Sequence, residues 1–307
     1  MSHHEVFDIK YWNSELKTEV DQIGDLVTCD SPIEIVCVEH FRQLASALGD
    51  LGPGVPVDRF AFGCGEPGER FVTKVNGLPY RPMDAPWPTC ADGSPMAFLM
   101  QLCFADSTDY IGALPGDVLL VFVAQMEGWT GIVGPSFNPY DPDALRFEWH
   151  RLGLQDLATE STAVPPRFEF PTCYGVRHRS CDYSSEQAER LLAQVDPVKA
   201  PSTSEPRLDE GNCPFMRYFG TKIGGVPLWS RRLAFEPPGR FIGCFTGVAC
   251  STTIYPWTNQ RKPLTDRESL SDQNFLSVGN GAILFYLRDD GSVDWYLTDM
   301  EDDYSLA

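Results

Sequence analysis

The spacing of apolar residues changes character along this chain. Over the first sixty residues it is mostly helical. Leu16, Val20 and Ile23 share one helical face behind a cap at Asn13 or Ser14, and Phe41, Leu44, Ala45 and Leu48 form a second stripe that Gly49 and the Gly52-Pro53-Gly54 breaker should end. Between these stripes, residues 33–38 have strand composition. From Arg59 to about Gln125 the pattern turns to short strands separated by Pro and Gly, with strands expected at 70–74 and 98–104 and an apolar run at 118–124. Pro82, Pro86, Pro88 and Pro95 hold the intervening loop in extended or turn geometry, so it should be stiff. Further strands are expected at 145–150 and 167–170. A helix should follow, because Ser184 with Gln187 makes a capping box, Ala188, Leu191, Leu192 and Val195 make an apolar stripe, and Asp196-Pro197 ends it. Residues 196–210 carry Pro197, Pro201 and Pro206 with no apolar period and read as a linker. The last apolar runs, 282–287 and 293–298, flank Asp290-Gly291, a hairpin signal.

One phrase occurs twice, about half the chain apart: Thr73-Lys74-Val75-Asn76-Gly77-Leu78-Pro79 and Thr221-Lys222-Ile223-Gly224-Gly225-Val226-Pro227. Each copy is followed by aromatic residues and then by a Gly-led apolar run, at 116–122 and 281–287. The chain therefore reads as internally duplicated, each unit covering an apolar face that the other cannot bury alone. Gly77 and Gly225 should occupy equivalent turns, each two residues before a φ-restricted proline, Pro79 or Pro227. The expected fold is α+β, rich in antiparallel sheet and duplicated. Residues 1–62 would be an N-terminal helical and strand extension, 63–195 the first repeat with its following helix, and 211–307 the second repeat.

Charge narrows the choice of partner. Lys plus Arg total 24 against 43 Asp plus Glu, a formal net charge of −19, in a chain of 307 residues that is 43% hydrophobic. Such a field repels phosphate backbones and anionic membranes and speeds encounter with a basic protein. The expected partner is a basic protein, with no nucleic acid and no membrane. Residues 1–8 lack the basic head and apolar core of a signal peptide, and the run at 118–124 is far short of the ~20 residues that span a bilayer, so a cytoplasmic location is expected. The ten cysteines are scattered, as reduced thiols are.

Several chemical motifs fail on context. Gly63 to Gly68 satisfies G-x-G-x-x-G, but Pro67 interrupts it and a strand-like stretch follows where a dinucleotide site needs a helix N-terminus. A kinase-type glycine loop would need H-R-D and D-F-G, and neither is present. Cys173, His178 and Cys181, with Cys213 or His150, lack the spacing of a compact zinc site, so no metal and no cofactor are expected. No G-x-S-x-G elbow or triad motif accompanies His40, His150 or His178. Asp84 and Asp92, flanking Trp87, are expected to cap turns.

Four stretches carry a family resemblance: the phrase at 73–79, Trp87-Pro88, the segment 92–102 running from Asp92-Gly93-Ser94-Pro95 to Gln101-Leu102, and the segment 114–122 opened by Leu114-Pro115-Gly116-Asp117. Together with 221–227 and 281–286 they make the chain similar to the YwqG family, a bacterial domain of unknown function, over most of residues 63–300. Asn76 departs from the glycine usual there, yet Asn tolerates positive φ. The resemblance implies an antiparallel α+β fold with a duplicated unit and no established activity, cofactor or catalytic residue. It also implies an association of some relatives with toxin and immunity loci. The leading expectation is a cytosolic protein-binding module, an immunity protein that neutralises a basic toxin, acting through Lys74, Trp87, Gln101, Lys222, Trp229 and Trp257. The alternative is an enzyme whose site lies in a groove between the repeats, where Lys74 and Lys222 would approach one another.

Overall fold

Ten short and medium strands, each antiparallel to its neighbours, make one sheet that curls around its own apolar face. The computed structural model describes residues 53–64, 67–124, 144–159, 172–182, 221–227, 237–250, 274–277 and 282–298. In chain order the elements are β1 (Val55–Cys64), β2 (Lys74–Val75), β3 (Ala97–Cys103), α1 (Thr108–Ile111), β4 (Val118–Val123), β5 (Leu145–His150) and β6 (Cys173–Asp182). Then come β7 (Lys222–Gly224), β8 (Arg240–Phe245), β9 (Gly247–Cys250), β10 (Asn274–Ser277), β11 (Ala282–Leu287) and β12 (Val293–Thr298). The sheet order is β12-β11-β8-β7-β1-β6-β2-β3-β4-β5, and β9 pairs with β10 separately.

The centre is the ladder between β1 and β6, in register from Val55 opposite Asp182 to Cys64 opposite Cys173. On one side the two-residue β2 bridges β6 to β3, and on the other the three-residue β7 bridges β1 to β8. Strand alternation then sorts the side chains. Phe60, Phe62, Val75, Leu119, Val121, Ile223, Phe245, Ile283 and Phe285 share the inner face and form the main core. Phe147 on the edge strand β5 meets Phe285 on β11 edge-to-face at 5.9 Å, although seven strands lie between β11 and β5 in the sheet order; contact at that distance requires the sheet to roll. The outer face carries two smaller clusters. Tyr80, Met96, Phe98, Val118, Leu120 and Phe122 lie over β3 and β4, and Cys244, Leu284 and Tyr286 lie over β8 and β11.

The strands expected at 145–150, 282–287 and 293–298 are β5, β11 and β12. Arg288 donates its N–H to Ser292 O at 2.9 Å and Gly291 sits at φ 85, which closes the β11–β12 hairpin. The strand expected at 70–74 is cut down to Lys74–Val75. Its physical reason is Gln101, whose amide nitrogen donates to Arg70 O and Val72 O at 2.7 Å each and so takes the carbonyls that a ladder would use. The α+β expectation is corrected within the described residues to a nearly all-β structure, since α1 has four residues. The helices expected before residue 50 and at 184–195, the strands at 33–38 and 167–170, and the linker at 196–210 lie outside the described residues. β1 spans the boundary expected at residue 62 and lies in the central sheet.

Both repeated phrases leave their short strand through two consecutive left-handed residues, Asn76 (φ 58) and Gly77 (φ 77) in one, Gly224 (φ 69) and Gly225 (φ 73) in the other. At Gly225 space is as restrictive as conformation, because a Cβ would lie 2.2 Å from Asp182 Oδ2 and 2.9 Å from Val57 Cγ2. Gly93 has the same sign of φ (+86) with open space around it. Urea denaturation should therefore show Gly225→Ala losing about 2–4 kcal/mol and Gly93→Ala about 1 kcal/mol, the difference reporting the collision alone. Equal losses would show that strain at φ decides both.

Candidate functional site

Polar side chains gather at three places, each set by strand register. The first is the middle of the outer face. Lys222 stands opposite Arg59, which stands opposite His178, and Lys74 stands opposite Tyr174 and Gln101. Because Arg59 and Gly63 share a face of β1, Lys74 and Lys222 lie on the same side of the sheet. They do not converge, since β6 and β1 run between β2 and β7, a separation of roughly 14 Å at the usual strand spacing. Both lysines are fully buried. Lys222 Nζ donates to Asp182 Oδ2 at 2.6 Å and to Val226 O at 2.7 Å, and Val226 N–H reaches the same carboxylate oxygen at 3.1 Å. Arg59 lies 3.6 Å from the other oxygen of Asp182 and donates to Cys181 O. Asp182 thus ties the second phrase to both central strands.

The second place is the inner face, where α1 meets the sheet. Asp58 is fully buried, and three donors surround it: the Arg179 guanidinium through Nε and Nη2, Arg177 Nη1 at 3.3 Å, and Ser107 Oγ at 2.5 Å. Both arginines also donate to Asp106 O, and Arg179 Nη1 reaches Asp109 Oδ2 at 2.8 Å. The Tyr110 ring lies 4.5 Å from the Arg179 guanidinium carbon, and its hydroxyl donates to Ile223 O. Burial, and next the Asp58 charge, push the Tyr110 hydroxyl well above its usual range, so it stays a neutral donor. A carboxylate held this way can anchor α1 but has no lone pair directed at a substrate.

The third is the loop 82–95 with the strand beneath it. Arg81 Nε donates to Glu148 Oε2 at 2.7 Å and its Nη2 to Glu148 Oε1 at 3.2 Å, while the same guanidinium donates to Ala85 O and Pro86 O. Trp87 is half-buried, edge-on to Phe122 at 5.3 Å, with its indole N–H on Met96 O at 2.7 Å. Backbone bonds Met83 N to Asp156 O, Cys90 N to Ser94 O and Met96 N to Pro88 O complete the brace. Burial pushes the Glu148 carboxyl up, but hydrogen bonds from His150 and Arg81, with the Arg81 charge, outweigh it and hold the group below the usual carboxylate range.

Gln101, expected to bind, is buried and spends its amide on Tyr80 N–H, Arg70 O and Val72 O. Pro79 O accepts from Arg70 and Arg81. Asp92 caps its turn through the N–H and hydroxyl of Ser94. Trp229 and Trp257 lie outside the described residues. Cys173 and Cys181 occupy opposite ends of β6, roughly 26 Å apart, and so cannot share a metal. Burial pushes the Cys103 and Cys173 thiols up to about 12, far from a nucleophile's range. Sequence reasoning missed Asp58, Arg81, Glu148, Arg177, Arg179 and Asp182. The one signal for them was Arg177 and Arg179 at strand spacing, two guanidiniums on one face.

Glu148 sets a pH dependence. Its folded pKa is depressed, so its contribution to stability is complete above the unfolded value of about 4.3 and is lost as pH falls through the lower folded value. Glu148→Gln should cost roughly 1–3 kcal/mol at pH 7, with the deficit against the parent shrinking as pH drops below about 4. Thermal melts across that range measure it, and a deficit that stays constant would remove the ion pair from the account.

A model of the family described as a domain of unknown function (DUF1963) matches residues 73–227, from the first copy of the phrase to the end of the second. The resemblance drawn on 281–286 lies beyond that match. No curated protein matches the chain. With half of its length covered, and both phrases at the limits of the match, this chain belongs to the DUF1963 family.

Proposed function

We propose that this chain is a cytosolic protein-binding module whose loop 82–95 meets a basic partner, in the manner of an immunity protein that neutralises a basic toxin. The observation that carries this is Met83. It is 45% exposed, one of two large apolar side chains exposed among the described residues, on a loop that Arg81, Trp87 and four prolines hold rigid. Asp84 follows it, Asp156 bonds its backbone, and both carboxylates are exposed. A rigid apolar tip with two exposed carboxylates beside it loses little conformational entropy on docking and favours a cationic surface, in keeping with the net charge of −19. Trp87, edge-on to Phe122 and bonded to Met96 O, ties the same loop to the sheet.

The alternative, an enzyme acting through Lys74 and Lys222, draws support from one feature: Arg59, Lys74, Gln101, Asp182 and Lys222 share one face of the sheet. Against it stand the burial of all five and the commitment of Asp182, Lys222 and Gln101 to the fold. The internal duplication also belongs here. Outward from the central pair the order is β6-β2-β3-β4-β5 on one side and β1-β7-β8-β11-β12 on the other, with a phrase-bearing short strand second in each. Register shifts fall in β3 against β4 and in β11 against β8, which are corresponding ladders in that scheme.

Immobilised chain should capture a basic protein from native lysate, identifiable by mass spectrometry, with association slowing steeply as salt rises. Met83→Asp should weaken capture at least roughly tenfold and leave the melting temperature unchanged. Capture indifferent to Met83 and to salt, or turnover of a small metabolite lost in Lys222→Ala, would replace this proposal with the alternative.

A further inference from the structure

The ten-stranded sheet ends on one side at β5, and the outer edge of that strand is regular. Ala124 N–H donates to Ala144 O at 3.0 Å and Asp117 N–H to His150 O at 2.9 Å, so even-numbered residues of β5 turn their backbone groups toward β4. Leu145, Phe147 and Trp149 therefore turn theirs outward. Among the described residues nothing bonds to those groups. On the opposite edge, β12, Trp295 and Tyr296 already have other partners. Natural edge strands are commonly blunted by proline, lysine or a bulge. β5 reads Leu145-Arg146-Phe147-Glu148-Trp149-His150 and follows β4 without a register shift, so it carries none of these devices. Its side chains divide by face. Leu145, Phe147 and Trp149 pack toward the main core, and Arg146 and Glu148 lie on the outer face. Arg146 is exposed and has no carboxylate partner among the described residues.

We propose that this chain forms a twofold dimer in which β5 pairs antiparallel with β5 of a second copy, about an axis at Phe147. All three outward-facing residues then take part. Phe147 faces the second copy's Phe147 and Leu145 faces its Trp149, each pair exchanging both N–H···O bonds. On the outer face Arg146 faces the second copy's Glu148, and the twofold axis repeats that pair. Glu148 stays accessible for it, since its side chain remains 24% exposed although bound to Arg81. Charge fixes this register against its neighbours. A slip of two residues sets Arg146 against Arg146 in one direction and Glu148 against Glu148 in the other, like charges directly opposite that destabilise a sheet. A slip of one residue sets outward-facing groups against residues whose own groups are committed to β4. The net charge of −19 on each chain opposes the contact only weakly, because charges beyond about 8 Å are screened at physiological ionic strength.

Sedimentation velocity of the full chain over a wide concentration range should show a 34.3 kDa monomer converting to a species of twice that mass. Hydrogen exchange read by mass spectrometry should show the peptide over residues 144–150 gaining protection as concentration rises. Arg146→Glu sets two carboxylates opposite each other on both sides of the axis and should weaken dimerisation at least roughly tenfold. The melting temperature of the dilute variant should not change, because Arg146 is exposed. Arg146→Lys, which keeps the charge, should keep the dimer. A monomer at every concentration, or a dimer indifferent to Arg146→Glu, would overturn the proposal. So would protection of residues 144–150 that does not depend on concentration, which would show that the chain covers this edge itself.

Discussion

Everything in this structure hangs on the ladder between β1 and β6. It is long enough to hold two groups of strands side by side, and each group attaches to it through a strand of only two or three residues. Such short strands have little ladder of their own, so their placement rests on what their side chains reach. β7 is held by the Lys222–Asp182 pair and the Val226 amide, β2 by Val75 in the core and by the contacts that Gln101 makes around it. Both pairings of β1 are non-local: its ladder with β6 joins residues more than a hundred apart, and its pairing with β7 sets Val57 opposite Gly224, farther apart still, which predicts slow folding for a chain of this size.

Buried charge does in this molecule what apolar packing does elsewhere. Asp58 and Asp182 are both fully removed from water, one on each face of the central strands. Each is surrounded by cationic or hydroxyl donors, a condition under which a buried carboxylate is tolerable and without which it costs several kcal/mol. The two sites act differently on architecture. Asp58 and its arginines bind α1 against the inner face, and Asp182 binds the second phrase against the outer face. Because these carboxylates serve the fold, the polar residues that look most chemical on paper are the ones least free to act, and attention moves to the braced loop that Arg81 and Glu148 hold outside.

What could be read from the chain and what could not divide along a physical line. Strands buried on one or both faces announce themselves through apolar runs, so β4, β5, β11 and β12 were legible to within a residue, and so was the Asp-Gly hairpin. The turns of the repeated phrase were legible because only Gly and Asn enter positive φ cheaply. The shortening of β2 was not, because it depends on a Gln101 amide arriving from another strand.

The sequence by itself therefore determined the apolar strands β3, β4, β5, β11 and β12, where the tightest turns fall and the family to which the chain belongs, all of which rest on interactions between near neighbours, while the central strands β1 and β6 carried no such signal. Only the tertiary structure decided which strands pair, how the sheet rolls so that Phe147 meets Phe285, and which cations each buried carboxylate holds. Those outcomes join residues far apart in the chain, and a charge pattern read along one strand carries no record of the partner that a distant strand will bring to it.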